Sequence, residues 1–377
     1  MGTRHSTTLL VKISLLLVIL LLGVLAFSSC VGVGTIPRGW AGGAISDGTL
    51  FVASMEGKLV AVNTSDGSRL WEIPLEAPEA AGGGFGCAPA PTTVAIYGSP
   101  AVAEDLVYVG GYNGKIYAFS FGRDEPRWVY PRQGVLDGPI VGGPIVAQSK
   151  VYFGSSDGKI YALDAADGFK EWVFETEDKI WSTPAIDGDT LFIGSFDKKL
   201  YALDATDGSK KWELETEGAI VSTPLVNNGI VYIGSFDRYL YAVDVTDGSL
   251  RWKFMAENWF WTEPVIYNGT VYAGCLDGRV YALDAESGDK LVEFDLGSPL
   301  SSSPVLVDNS IIVATEEGIV YALNTEDNHK KQLVNLEEKI YAPLTASQGI
   351  VYIHTDEDTL YAIDAQSGAI REFHIKS

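Results

Sequence analysis

The sequence predicts an all-β fold, an eight-bladed β-propeller with four antiparallel strands per blade. Three observations predict it: one segment copied eight times along 377 residues, a 40-residue step between most copies, and four short strand patterns within each unit. The clearest copies are LYALDATDGSKKW (200–212), IYALDAADGFKEW (160–172), LYAVDVTDGSLRW (240–252) and VYALDAESGDKLV (280–292), and weaker ones lie at 59–71, 116–128, 320–332 and 360–372. Their anchors are Val60, Tyr117, Tyr161, Tyr201, Tyr241, Tyr281, Tyr321 and Tyr361, and from Tyr161 onward the step is 40 residues every time.

Within one unit the pattern gives strands over 182–186, 190–195, 199–204 and 210–214. Asp187-Gly188-Asp189, Phe196-Asp197-Lys198 and Thr206-Asp207-Gly208 separate them as turns. Leu200 and Ala202 alternate with Tyr201 and Leu203, so both faces of the strand are apolar and neighbouring sheets must cover both. Pro100, Pro144, Pro184, Pro224, Pro264, Pro304 and Pro343 head the first strand of their units, a place where a missing ladder donor is tolerated; unit 1 has Gly43 there. No unit shows a 3.6-residue period, which excludes a helical solenoid. Closing the sheets into a ring removes exposed edges, with or without exchange of a strand between the chain ends.

The N-terminus carries Arg4 and Lys12, then an apolar run over 13–27, then Ser28-Ser29-Cys30. That is the layout of an export signal, and Ser28 to Cys30 resembles a bacterial lipobox, with Cys30 as the residue that would be lipid-modified. Counted from Leu9 the run reaches about 19 residues, close to a bilayer span, so an uncleaved anchor and soluble secretion stay open beside lipidation. The expected organisation is 1–29 as signal or membrane segment, 30–39 as tether and 40–377 as propeller, exported and held on the periplasmic or other extracytoplasmic face. With 27 Lys+Arg against 49 Asp+Glu, the net charge of −22 repels phosphate backbones, so nucleic acid is not an expected partner.

The run Ala-x-Asp-x-x-Asp-Gly-x-x-x-Trp at 162–172, 202–212 and 242–252 resembles the tryptophan-docking motif of pyrroloquinoline-quinone-like propellers. The resemblance implies that Trp71, Trp128, Trp172, Trp212 and Trp252 wedge between neighbouring blades, and that blades 6 to 8, with Val292, Gln332 and Glu372 there, pack more weakly. A single ring behind a lipobox-like cysteine is further similar to the outer-membrane β-barrel assembly lipoproteins of the BamB family. That likeness implies a non-catalytic, lipid-held scaffold presenting one face to protein partners in the cell envelope. Quinone-dependent dehydrogenases share the ring, but adjacent cysteines and long catalytic insertions are missing here, so no catalytic residue and no cofactor are expected. A dehydrogenase-like or small-ligand propeller, and a surface sensor or adhesion propeller, are the competing readings.

His5, His329, His354 and His374 have no metal-ligand spacing, and no metal site is expected. Asp157, Asp197, Asp237 and Asp277 recur every 40 residues and suit hairpin turns better than a shared cation site. Asn268-Gly269-Thr270 matches a glycosylation sequon but reads as a turn. The loops leading into the first strands and those joining second to third strands emerge on one face. They place Trp181, Phe196, Phe236, Tyr239, Trp259, Phe260, Trp261 and Tyr341 on the expected partner-binding surface of a monomeric ring, Trp181 and Trp261 alternatively plugging the central channel. The longest departure from the period, 76–97, falls on that face, with a second irregular stretch at 130–143 beside it, and Cys87 is expected to form a disulfide with Cys275.

Overall fold

Eight sheets of four antiparallel strands follow one another along the chain, in the order first to fourth strand within each blade. In this computed structural model the described residues are 39–75, 94–373 and 375. They lie within one unit of the chain, 38–77 together with 94–377. The blades run over 43–74, 101–130, 145–175, 185–215, 225–255, 265–295, 305–335 and 345–373. The predicted architecture is therefore present, an all-β propeller of eight blades.

Blade 4 shows why these residues form these elements. Its strands are Ala185–Asp187, Thr190–Gly194, Lys199–Asp204 and Lys210–Glu215. The two middle strands are buried on both faces because a neighbouring sheet lies against each, which the β-branched and aromatic residues of TLFIG and KLYALD fit. The outermost strand alternates exposed and buried positions and sets Lys210, Lys211, Glu213 and Glu215 along its free edge, where charge opposes pairing with another chain. The innermost strand starts after Pro184 rather than at Ser182, and is only three residues long. Ser182 and Thr183 are engaged across the blades instead: Ser182 Oγ donates to Ser222 O at 2.8 Å, and Thr183 Oγ1 accepts from Gly143 N at 2.8 Å.

The tryptophans act between sheets. Trp212 sits directly opposite Ala202, and a bulge between Ala202 and Leu203 sets that register. In successive blades Trp128, Trp172, Trp212 and Trp252 are 7 to 9% exposed. Each indole N–H donates to a carbonyl of the next blade, as Trp172 Nε1 does to Ala205 O at 3.1 Å and Trp252 Nε1 to Ala285 O at 3.0 Å. Each ring also lies against the glycine of the next blade's outer turn, which is Asp-Gly in blades 3 to 5 and Ser287-Gly288 in blade 6. A Cβ on Gly208, whose φ is +76°, would meet the Trp172 ring at 2.6 Å. Blade 6 lacks the tryptophan and has Val292, and the matching turn of blade 7 has Asn328 in place of glycine. Trp71 is half-buried against Phe51, with ring centroids 5.7 Å apart.

No strand is exchanged where the ring closes: blades 1 and 8 are each built from contiguous residues. Their first strands are neighbours. Gly43 and Thr345 exchange two hydrogen bonds, Gly43 N donating to Thr345 Oγ1 at 3.0 Å and that hydroxyl donating to Gly43 O at 2.9 Å. The docking position of blade 8 is occupied differently from what the repeat implies. Its outer pair has no bulge, so Arg371 rather than Glu372 stands opposite Ala362, and Phe373 packs where a Cβ on Gly67 would be. His354 is buried at this seam, where blades 2 to 6 have Gly110, Gly154, Gly194, Gly234 and Gly274. Its Nδ1 faces Ala41 O at 3.2 Å and its Nε2 faces Asp358 Oδ1 at 2.8 Å, while the same carboxylate oxygen accepts Met55 N at 2.9 Å.

Candidate functional site

Three residues precede the strand-head proline in units 2 to 7 and Gly43 in unit 1, while in unit 8 Pro343 itself holds the third place, and the three alternate as a strand does. The first and third point to the axis and the second points into the blade. The first position supplies Trp40, Tyr97, Trp181, Trp261 and Tyr341 to the lining of an axial cavity of about 110 Å³. Val141, Val221 and Ser301 take the remaining three places of that ring. The third position lines the same cavity with Ser99, Thr183, Thr223 and Ser303, together with Gly143, Pro343 and Glu263. An aromatic collar thus stands above a collar of hydroxyls, and one carboxylate interrupts the lower one.

The aromatic collar continues outward as two arcs. In the first, Trp181 meets Phe196 edge-on at 4.8 Å, Phe196 meets Phe236 at 6.1 Å, and Phe236 stacks on Trp259 at 4.4 Å and on Trp261 at 5.4 Å. It crosses blades 4, 5 and 6, and Trp259 is left 42% exposed. Lys179 Nζ lies 4.6 Å from the Trp181 ring and 4.3 Å from Phe196, so this surface already holds one ammonium group. In the second arc Tyr341 meets Trp40 at 5.5 Å, Trp40 meets Tyr97 edge-on at 4.8 Å, and Tyr97 meets Tyr112 at 5.3 Å. Trp40 and Tyr112 are 38% and 45% exposed.

Trp181, Phe196, Phe236, Trp259 and Trp261 are therefore brought together as one contiguous surface, and Trp181 and Trp261 also border the channel, so the two readings of that pair are not exclusive. Tyr341 belongs to the opposite arc. Tyr239 stands apart, against Tyr241 at 5.9 Å and under Lys253 Nζ at 4.2 Å. Phe260 is not a surface residue. It is 1% exposed, packed on Tyr281, and it fills the space above Gly234 where a Cβ would meet it at 2.5 Å. The tripeptide Trp-Phe-Trp alternates about the chain, which turns its middle residue inward. Trp40, Tyr97 and Tyr112 are the residues that sequence reasoning missed.

The turns carrying Phe196 and Phe236 share a feature with that of blade 8, where Asp358 holds φ of 60°. Lys198 and Arg238 hold φ of 72° and 74°, in the left-handed region occupied by Gly158 and Gly278 in blades 3 and 6. Such conformations cost of order 1 kcal/mol or more for a residue with a Cβ, and they collect at functional sites.

The recurring aspartates of these turns are structural. Asp197 accepts from Lys199 N at 3.0 Å, from Tyr201 OH at 2.7 Å and from Glu177 N at 3.0 Å, and Asp237 repeats this with Tyr239 N, Tyr241 OH and Glu217 N. Desolvation first, and the bond to the aspartate second, push the phenols of Tyr161, Tyr201, Tyr241 and Tyr281 above the ordinary value. The folded state thus holds these protons more tightly than the unfolded chain. Their contribution is complete below pH ~10, where free tyrosine titrates, and is lost as pH rises beyond it. Denaturant midpoints measured from pH 8 to 12 should fall above pH ~10, with tyrosinate absorbance rising only as the fold is lost; a flat profile would refute the assignment.

Cys275 is a free, fully buried thiol whose Sγ donates to Asn258 O at 3.4 Å, and burial pushes its pKa up to about 12. Its expected partner Cys87, the lipidation candidate Cys30 and most of the 76–97 excursion lie outside the described residues. Among the described residues no helix is long and apolar enough to cross a membrane, and no three His, Cys, Asp or Glu side chains converge.

The profile of the outer membrane protein assembly factor BamB matches residues 31–173 and again 172–371. No curated protein matches the sequence. Among solved structures, BamB from Moraxella catarrhalis superposes with a TM-score of 0.69 at 21% identity, over 84% of this chain and 94% of that one. The computationally designed Ika8 protein superposes with a TM-score of 0.71 at 14% identity, over 90% and 96% respectively. Both are likenesses of fold. The profile matches, which together run from residue 31 to residue 371, place this chain in the family of the outer membrane protein assembly factor BamB.

Proposed function

We propose that this chain is a non-catalytic protein-interaction scaffold, exported and tethered to a membrane through its N-terminal segment, that serves outer-membrane or envelope protein assembly. The observation that carries the reading is the family match along nearly the whole chain. The arc from Trp181 to Trp259 supports the location of the docking surface. It joins large rings across three blades and leaves a tryptophan 42% exposed on a rigid frame, the kind of anchor on which protein interfaces concentrate their binding energy.

A photo-crosslinking residue at Phe236, expressed in cells, tests this reading. Adducts with envelope assembly proteins are expected there and not from Glu286, which is exposed on the turn between third and fourth strands at the other face. Adducts from neither site, or equally from both, would refute the docking face, and recovery of the chain in the soluble fraction would refute the tether. Trp259→Ala should weaken partner capture at least tenfold, about 1.4 kcal/mol, with the unfolding midpoint unchanged.

A further inference from the structure

We infer that the axial cavity is a binding site for a primary ammonium group, held between the Glu263 carboxylate, the Ser301 hydroxyl and the surrounding aromatic faces. Glu263 is the one charged residue among those lining the cavity, at a ring position that four other blades fill with Ser or Thr. Its structural duty is done by its backbone, whose N–H donates to Ser303 Oγ at 3.2 Å and ties blade 6 to blade 7. The carboxylate takes no part in that bond, and among the described residues no side chain neutralises it. Ser301, on the adjoining blade and also in the lining, has a buried Oγ without a hydrogen-bond partner.

Glu263 is half-buried, and a carboxylate drawn partly out of water is costly without a counter-ion. Desolvation raises the Glu263 pKa to about 7, the mark of a carboxylate closely surrounded by protein and lacking a cation. An ammonium group supplies what both acceptors lack, with N–H donors for the carboxylate and for Ser301. The π faces of the collar, Trp261 nearest along the chain to Glu263, favour a cation over water. The cavity, about 110 Å³, exceeds the ~30 Å³ share of one water several-fold, and the net charge of −22 draws cations toward it. A quaternary ammonium would stack on the rings but leave both oxygens unsatisfied, so the site favours a primary amine. That group arrives either as a free small amine or as the tip of a lysine on a protein segment lying across the collar.

Calorimetric titration of the purified chain with n-butylammonium chloride tests the site. Saturable binding with a Kd of roughly a millimolar or tighter is expected. Affinity should be roughly tenfold higher at pH 8 than at pH 6, because Glu263 must be ionised. Glu263→Gln should abolish both the binding and its pH dependence. Trp261→Leu, which keeps apolar bulk, should weaken binding several-fold, and it serves if the first variant fails to fold. A lysine-containing peptide that binds more tightly than butylammonium identifies a protein segment as the source, and the reverse identifies a free amine. No saturable heat with either probe, tetramethylammonium binding as tightly as butylammonium, or undiminished binding by Glu263→Gln would overturn the inference. The readout needs no assembly partner, so its failure leaves the scaffold reading standing, and the converse holds.

Discussion

Trp172→Ala should destabilise the protein by about 3–5 kcal/mol, measured as a lower denaturant midpoint. The indole is 8% exposed and touches Tyr152 of its own sheet, with ring centroids 5.8 Å apart. It donates to Ala205 O and covers Gly208 of the next blade. Removing it opens a void between sheets and leaves Ala205 O with Tyr152 OH, at 3.0 Å, as one donor in place of two. Gly208→Ala in the intact protein should be destabilising by about 1–3 kcal/mol, because its new Cβ would collide with the ring. Part of that cost should vanish in the Trp172→Ala background, leaving the strain of the left-handed backbone. Strictly additive effects would mean that ring and turn do not act as one contact.

Asp358→Ala should destabilise by about 3 kcal/mol or more through the seam between blades 8 and 1. One carboxylate oxygen there receives both the His354 ring and Met55 N, and the imidazole is anchored on its other side by Ala41 O, so the pair joins the last blade to two segments of the first. Without Asp358, a buried ring nitrogen and a buried N–H lose their partners together. Hydrogen exchange at Met55 should speed up more than exchange in blade 4, which lies away from the seam. Unchanged stability and uniform exchange would show that the ring is held shut elsewhere.

Fold and blade count were legible in the sequence because the repeat states them locally. A period of two with both faces apolar can be satisfied only by sheets stacked on sheets, and Asp-Gly turns recur between the third and fourth strands of half the units. The first strand was misjudged at its start, since STPAI (182–186) reads as continuous until the proline and the inter-blade bonds of Ser182 and Thr183 intervene. Phe260 was misplaced because aromatic composition was read without the alternation that buries every second residue. Trp40 and Tyr97 were overlooked although each stands three residues before Gly43 or Pro100, the offset of Trp181 from Pro184; one opens the propeller ahead of its first strand and the other closes the 76–97 excursion. Glu263 gave no signal on its own, since only the ring shows that its counterparts are hydroxyls. Phe373 lay one residue past the docking position, because the missing bulge in blade 8 cannot be read from spacing.

Every blade is completed by contiguous residues and none borrows a strand from the other end of the chain. Each sheet is thus a self-sufficient cassette, joined to its neighbours by side chains and not by interlaced backbone. Such a disc can be cut at a link between cassettes and respliced elsewhere in circular order without breaking a ladder. The unvarying 40-residue spacing from Tyr161 to Tyr361 makes the links between these cassettes equivalent places for such a cut.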